Sequence, residues 1–111
     1  MDFTGSWASS AGTAYSGGHE MRTVTANSDG SFTTTARGIA WVGARGTTRG
    51  TADVYVDGVL AAHVTMTSST LAYRCVLYSV NFATSGLHSV RIVYTGPLTR
   101  LGDVDAFVAL A

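Results

Sequence analysis

"TADVYVDGVLAAHV", residues 51–64, reads as two apolar strands around an Asp-Gly turn, and its register decides how the surrounding chain folds. A two-residue turn at Asp57-Gly58 sets Val56 against Val59. Val54 and Val56 then share a face with Ala61 and His63, while Leu60, Val64 and Met66 fall on the face of Asp53. A three-residue loop with Gly58 in the left-handed conformation, a G1 bulge, shifts the pairing by one residue. Tyr55 then faces Val59, and Val54 faces Leu60. One face gathers Ala52, Val54, Leu60, Ala62, Val64 and Met66, and the other carries Thr51, Asp53, Tyr55, Ala61, His63 and Thr65. Because a one-residue slip exchanges the faces of a strand, the cleaner partition favours the bulged turn. The segment is expected to form the bulged edge of a β-sandwich.

Outward from this hairpin the same pattern recurs. Short β-branched and aromatic runs are separated by Gly, Ser and Asp-Gly, and helix signals are nearly absent. Strands are predicted near 21–26, 31–36, 38–43, 51–56, 59–66, 73–80, 88–95 and 104–110, with a shorter one around 2–7. Eight or nine strands at this spacing predict an all-β fold, an antiparallel jelly-roll sandwich. In "HSVRIVY", Val90, Ile92 and Tyr94 alternate inward while Ser89, Arg91 and Val93 alternate outward. "GIAWVG" is apolar on both faces, with Ile39 and Trp41 on one and Ala40 and Val42 on the other. Two roles fit it: a central strand covered on both sides, or a strand offering its aromatic side to a ligand.

The 111 residues suffice for one two-layer core, so residues 1–111 are read as a single module without repeat, linker or low-complexity tail. Only 13% of the residues are charged, against roughly 25% in ordinary soluble domains. Seven Arg, with no Lys, balance seven acidic residues. That balance leaves no field for nucleic acid or an anionic membrane, and the Arg are scattered rather than gathered in a basic stripe. No apolar run approaches the roughly 18 residues of a membrane span, and no signal peptide is visible. "MDFTGSW" reads as an initiator Met placed on an excised domain or a short gene. Low charge with abundant Ser, Thr and Gly points to an extracellular or cell-surface location. It also leaves little repulsion to oppose a homo-oligomer. Cys75 is alone, which excludes an intrachain disulfide and a zinc knuckle; within "YRCVLYSV" it is expected to be a buried, inert thiol.

"GIAWVGARGTTRGTADVYVDG", "SGLHSVRIVYTG" and "DVDAFVAL", preceded by "GSWASSAGTAYSGG", together resemble the galactose-binding-like jelly-roll modules. In particular, they resemble the small carbohydrate-binding modules attached to secreted bacterial glycoside hydrolases and amidases. The resemblance spans roughly residues 3 to 110. It implies a non-catalytic sandwich whose partner is a polysaccharide or other glycan. It also implies a structural calcium between an N-terminal Glu pair and an Asp of the last strand. Asp105 matches that Asp; the Glu pair is missing, so Asp2 and Asp103 stand with Asp105 as the metal candidates, provided the termini lie side by side. His88, just after a Gly-Leu turn, matches the family's structural histidine, which bonds a backbone carbonyl across the turn.

Sugar recognition calls for an aromatic face against the ring and planar polar groups for the hydroxyls. Trp7 and Tyr15 lie in a Gly/Ser-rich stretch and are candidates for that face, as is Trp41 in its second role; packing over or within the core is the alternative for each. Arg45 and Arg49 flank "GTT" and can bond hydroxyls or a sugar carboxylate bidentately, or remain solvated loop charges. Asn81 is a further polar candidate or a turn residue. His63 is placed at the surface.

His19-Glu20 lacks the second His of a zinc-protease motif. No Gly-x-Ser-x-Gly elbow occurs, and a sandwich of this length has little room for the cleft that two glycosidase carboxylates require. The chain is therefore read as a carbohydrate-binding module. The alternative is a structural or protein-interaction sandwich of a cell-surface or phage tail protein. A flat apolar patch around Tyr55, with Trp7, Tyr15 and Trp41 all buried, would favour that alternative.

Overall fold

The computed structural model describes residues 2–5, 7–11, 19–23, 25–96 and 100–110, with residues 2, 9–11, 19, 20 and 110 described by their backbone alone. The decisive hairpin is β5 (Thr51–Val56) and β6 (Val59–Thr65), and it is closed by two residues, not three. Asp57 and Gly58 both have positive φ, 51° and 82°, and Val56 pairs with Val59. This is the backbone of a type I′ turn, whose twist matches that of the strands. A bulge is present, but it lies inside β6. Tyr55 pairs with Leu60 and Val54 pairs with Ala62, leaving Ala61 as the extra residue. Beyond it the inward set is Ala52, Val54, Ala62, Val64 and Met66, all as expected. Leu60 leaves that set and stands 46% exposed.

The remaining strands are β1 (Asp2–Thr4), β2 (Ala8–Ala11), β3 (His19–Thr23), β4 (Asp29–Arg45), β7 (Ala72–Gly96), β8 (Gly102–Val104) and β9 (Ala106–Leu110). All ladders are antiparallel. One sheet runs β1-β4-β7-β5-β6 with β9 also on β4, and the other runs β2-β3-β8. The all-β sandwich is thus the fold, but the strands depart from those expected: β2 is additional, two pairs of strands are merged and one strand is split. The runs expected at 31–36 and 38–43 are one strand, β4, and those at 73–80 and 88–95 are one strand, β7. The last expected strand is split at Asp105.

The long strands must bend. Straight strands of 17 and 25 residues would span roughly 55 and 80 Å at the usual rise, yet the longest axis of the molecule is 39 Å. The bend sits where the β4–β7 register breaks, between Ala36 and Gly38 on β4 and across Phe82–Ser85 on β7. Gly86-Leu87 is therefore part of β7, not a turn. Both ends of β4 return to one end of the molecule. Tyr94 N donates to Ser28 O just before β4, and Gly46 N just after it donates to Met66 O at the end of β6.

The two halves of the bent pair enclose the core. Phe32 in the first half of β4 stacks on Phe107 of β9, ring centres 5.6 Å apart. Ile39, Trp41, Val54, Met66, Val90, Ile92 and Tyr94 are among the buried side chains of this core. Each such side chain stabilises the fold by about 1.5–3 kcal/mol on burial. "HSVRIVY" alternates as expected. Cys75 is only half-buried, against the core margin, with Sγ 3.7 Å from the Ala72 and Tyr73 carbonyl oxygens.

Candidate functional site

The end of the sandwich to which β4 returns is organised by a buried ion pair. Arg49 Nε donates to Asp103 Oδ2 at 2.5 Å, with the two side chains 4% and 0% exposed. Asp103 Oδ1 accepts the Ala44 N–H at 2.8 Å, and Asp103 O accepts Trp41 Nε1 at 3.1 Å. Gly43 makes room for this carboxylate, since a Cβ there would lie 2.4 Å from Asp103 Oδ1 and 3.0 Å from Asp103 O. Of the two roles open to Trp41, the structure gives it the core: the ring is 1% exposed and offers no face to a ligand. Arg49 is neither a ligand contact nor a solvated loop charge. Its guanidinium is spent on holding the 46–50 loop to β8.

The same end presents a second tier of polar groups to solvent. Arg45 Nη1 donates to Thr65 O at 3.1 Å. Arg100 Nη1 donates to Thr67 Oγ1 at 3.1 Å and to Arg49 O at 3.5 Å, while Thr67 Oγ1 itself donates to Arg49 O at 2.8 Å. Arg49 Nη1 donates to Thr48 Oγ1. Thr47, Thr48, Thr65 and Thr67 are exposed, and Arg45 and Arg100 are half-exposed. Tyr94 supports the floor by donating its hydroxyl to Arg100 O at 2.8 Å, and burial pushes its pKa up. Among the described residues, Arg45 is thus the one anticipated binding residue that reaches this surface. Arg100 and Thr67 are additions that the sequence does not single out. An Arg shortly after the chain's single Pro in "GPLTRLGD" is a weak signal, and its partner Thr67 is 33 residues away.

The other expected residues are dispersed. Trp7 is half-buried, its Nε1 donating to Thr4 O at 2.8 Å and its ring 5.0 Å from Phe3, so it packs over the rim of the core. Asn81 is exposed beside Gly38 at the bend. Tyr15 lies outside the described residues. The calcium set does not fit: Asp2 pairs with Ser31 in one sheet and Asp103 with Arg22 in the other, and the Asp103 carboxylate faces a guanidinium where a cation would have to bind. Asp105 is half-buried, its N–H given to Val42 O. Among the described residues no three His, Cys, Asp or Glu side chains come together as a metal site.

The opposite end and the outer faces are built differently. His88 points inward as expected, but its partner is a carboxylate rather than a backbone carbonyl. Nδ1 lies 2.7 Å from Asp57 Oδ2, and the ring stacks on Phe82 with 3.5 Å between centres. Asp57 Oδ1 also accepts Ser89 N–H at 2.8 Å. These bonds hold the Asp57 carboxyl below the usual carboxylate range. Around Tyr55 the outer face is mixed: its cross-strand partner Leu60 is 46% exposed, and charged groups stand beside the pair. Arg91 lies 5.5 Å above the ring and donates to Asp29 at 2.6 Å, and His63 pairs with Asp53 beside it. Burial pushes the Asp29 carboxyl up, but the Thr4 hydroxyl and Arg91 outweigh it and hold Asp29 low. Further exposed apolar side chains lie where β7, the second half of β4 and β9 run side by side. Val76 there is 58% exposed and Val108 45%.

No family model matches the chain. Among curated proteins it is similar to the A type blood N-acetyl-alpha-D-galactosamine deacetylase of Flavonifractor plautii, with 32% identity over 105 residues. The match takes in 95% of this chain and 13% of the deacetylase, so the chain spans about an eighth of that relative's length. Among solved structures, a Paenibacillus xanthan lyase superposes with a TM-score of 0.68 at 14% identity, over 99% of this chain and 12% of the lyase. The Agl-KA catalytic domain superposes with a TM-score of 0.61 at 16% identity, over 99% of this chain and 26% of that one. At these identities the structural likeness is one of fold. The chain is a small all-β unit similar to short portions of carbohydrate-active enzyme chains.

Proposed function

We propose that this chain is a non-catalytic carbohydrate-binding module, working outside the cell, that holds an attached catalytic unit against a polysaccharide or cell wall. The observation that carries it is the similarity over nearly the whole chain to a short portion of a carbohydrate-active deacetylase. The binding surface is the sandwich end bearing Arg45, Thr48, Thr67 and Arg100. Hydroxyls and guanidinium N–H groups match the donors and acceptors of a sugar, and the buried Arg49–Asp103 pair beneath keeps that surface rigid. Affinity electrophoresis through gels containing neutral or acidic polysaccharides tests this. Retardation in at least one gel, weakened by Arg45→Gln, is the expected result; free migration in all of them would exclude the function.

A second function class, a docking unit within a larger protein, is favoured by the exposed Val76 and Val108 on the outer face of β7, β4 and β9. Replacing both with Thr separates the two. Glycan retardation unchanged in that variant would leave this face to docking, and its loss would make the same face the glycan surface.

A further inference from the structure

We infer that the ligand of this end is an anionic saccharide, whose carboxylate or sulfate oxygens are taken by Arg45 and Arg100 together; this rests on the carbohydrate-binding function proposed above. The chain has no net charge, but its charges are not evenly paired. Asp29, Asp53, Asp57 and Asp103 are bonded to Arg91, His63, His88 and Arg49 respectively. Arg45 and Arg100, among the described residues, bond only neutral oxygens. Two guanidiniums that, among the described residues, bond no carboxylate thus stand at one end of the molecule.

The two guanidiniums are also held in place. Their acceptors belong to Thr65 and Thr67, alternate residues of one extended segment, whose Cα atoms stand roughly 7 Å apart by strand rise. That spacing is close to the width of a hexose ring. Each guanidinium spends Nη1 on its tether, and among the described residues its other N–H groups meet no acceptor. A planar fork fixed in this way loses little entropy on meeting a carboxylate or sulfate. Thr48 and Thr67, both exposed residues, belong to the same surface, their hydroxyls already engaged with Arg49 and Arg100. Tethering by neutral oxygens leaves the positive charge intact, whereas the Asp103 pairing cancels that of Arg49.

The test is affinity electrophoresis of the protein through polygalacturonate, fully methyl-esterified polygalacturonate, dextran sulfate and dextran. Binding to polygalacturonate or dextran sulfate about tenfold tighter than to its uncharged counterpart is expected, as is a loss of about tenfold in Arg45→Gln and in Arg100→Gln. Whichever polyanion is retained identifies the carboxylate or the sulfate as the group read. Thr67→Val, which removes the Arg100 tether without removing charge, should weaken the same binding by a smaller factor, and thermal melts confirm that each variant is folded. Equal binding to charged and uncharged polymers, or binding to either polyanion unchanged in both Arg variants, overturns the anionic assignment but leaves a carbohydrate-binding module standing. Retention by none of these nor by any other polysaccharide overturns both.

Discussion

Arg49 and Asp103, 54 residues apart in sequence, form an ion pair at 2.5 Å that is sealed from solvent and ties the loop after β4 to the short strand β8. The pair is a joint between the two sheets. It explains why two residues that look chemically active in the sequence face inward. Burying two charges repays little unless both stay paired, so its effect on stability is seen most clearly when one partner is removed.

Asp103→Ala should therefore destabilise the protein by about 3–5 kcal/mol, because the Arg49 guanidinium stays buried and loses its counter-charge. Replacing both residues, as in Arg49→Met with Asp103→Leu, should cost less than the single change. Urea unfolding of the parent and the two variants measures this. A single-variant loss below the double-variant loss would contradict the joint.

Gly43→Ala places a methyl 2.4 Å from Asp103 Oδ1 and 3.0 Å from Asp103 O. We expect a loss of about 1–3 kcal/mol from overpacking. Part of that clash disappears with the carboxylate, so the loss should be smaller in an Asp103→Ala background. A double-mutant cycle in urea reads the coupling directly.

Asp57 links pH to stability at the other end. Its carboxyl is held low by His88 and by the Ser89 N–H, so the folded state binds its proton less readily than the unfolded chain. This contribution is fully present above the ordinary carboxylate value of 3.8 and is lost as pH falls through the lower folded value. Asp57→Asn tolerates the positive φ and keeps an acceptor for Ser89. Its stability should fall less steeply with pH below about 4 than that of the parent. Equal acid slopes in chemical denaturation would contradict the role given to Asp57.

Trp41 and Trp7 should be separable by fluorescence. Trp41→Phe leaves Asp103 O without its indole donor in the core, costing about 1–3 kcal/mol, and should remove the blue-shifted part of the emission. Trp7→Phe should leave that part in place. If the blue component follows Trp7 instead, the core placement of Trp41 is contradicted.

Much of the fold was legible locally because strand period and side-chain burial are coupled residue by residue. Val90, Ile92 and Tyr94 alternate inward as "HSVRIVY" requires, and the apolar set Ala52, Val54, Val64 and Met66 came from pattern alone. The turn was less legible. Moving the bulge from Gly58 to Ala61 gives the same faces beyond it, so partition of side chains cannot distinguish the two sites. The candidate surface was legible only at Arg45. Arg100 and Thr67 become neighbours through the return of β4 and the closure of β8, contacts with no local signature.

The sequence by itself determined an all-β sandwich, the inward face of most strands, and a charge balance unsuited to nucleic acid. These follow from composition and a two-residue period, which every segment carries within itself. The tertiary structure alone decided that four expected strands are two bent ones, that Trp41, Arg49 and Asp103 form a sealed joint, and that Arg45 and Arg100 keep their charge at one end. Whether a charge is cancelled or left to meet a ligand depends on which distant residue folding brings beside it.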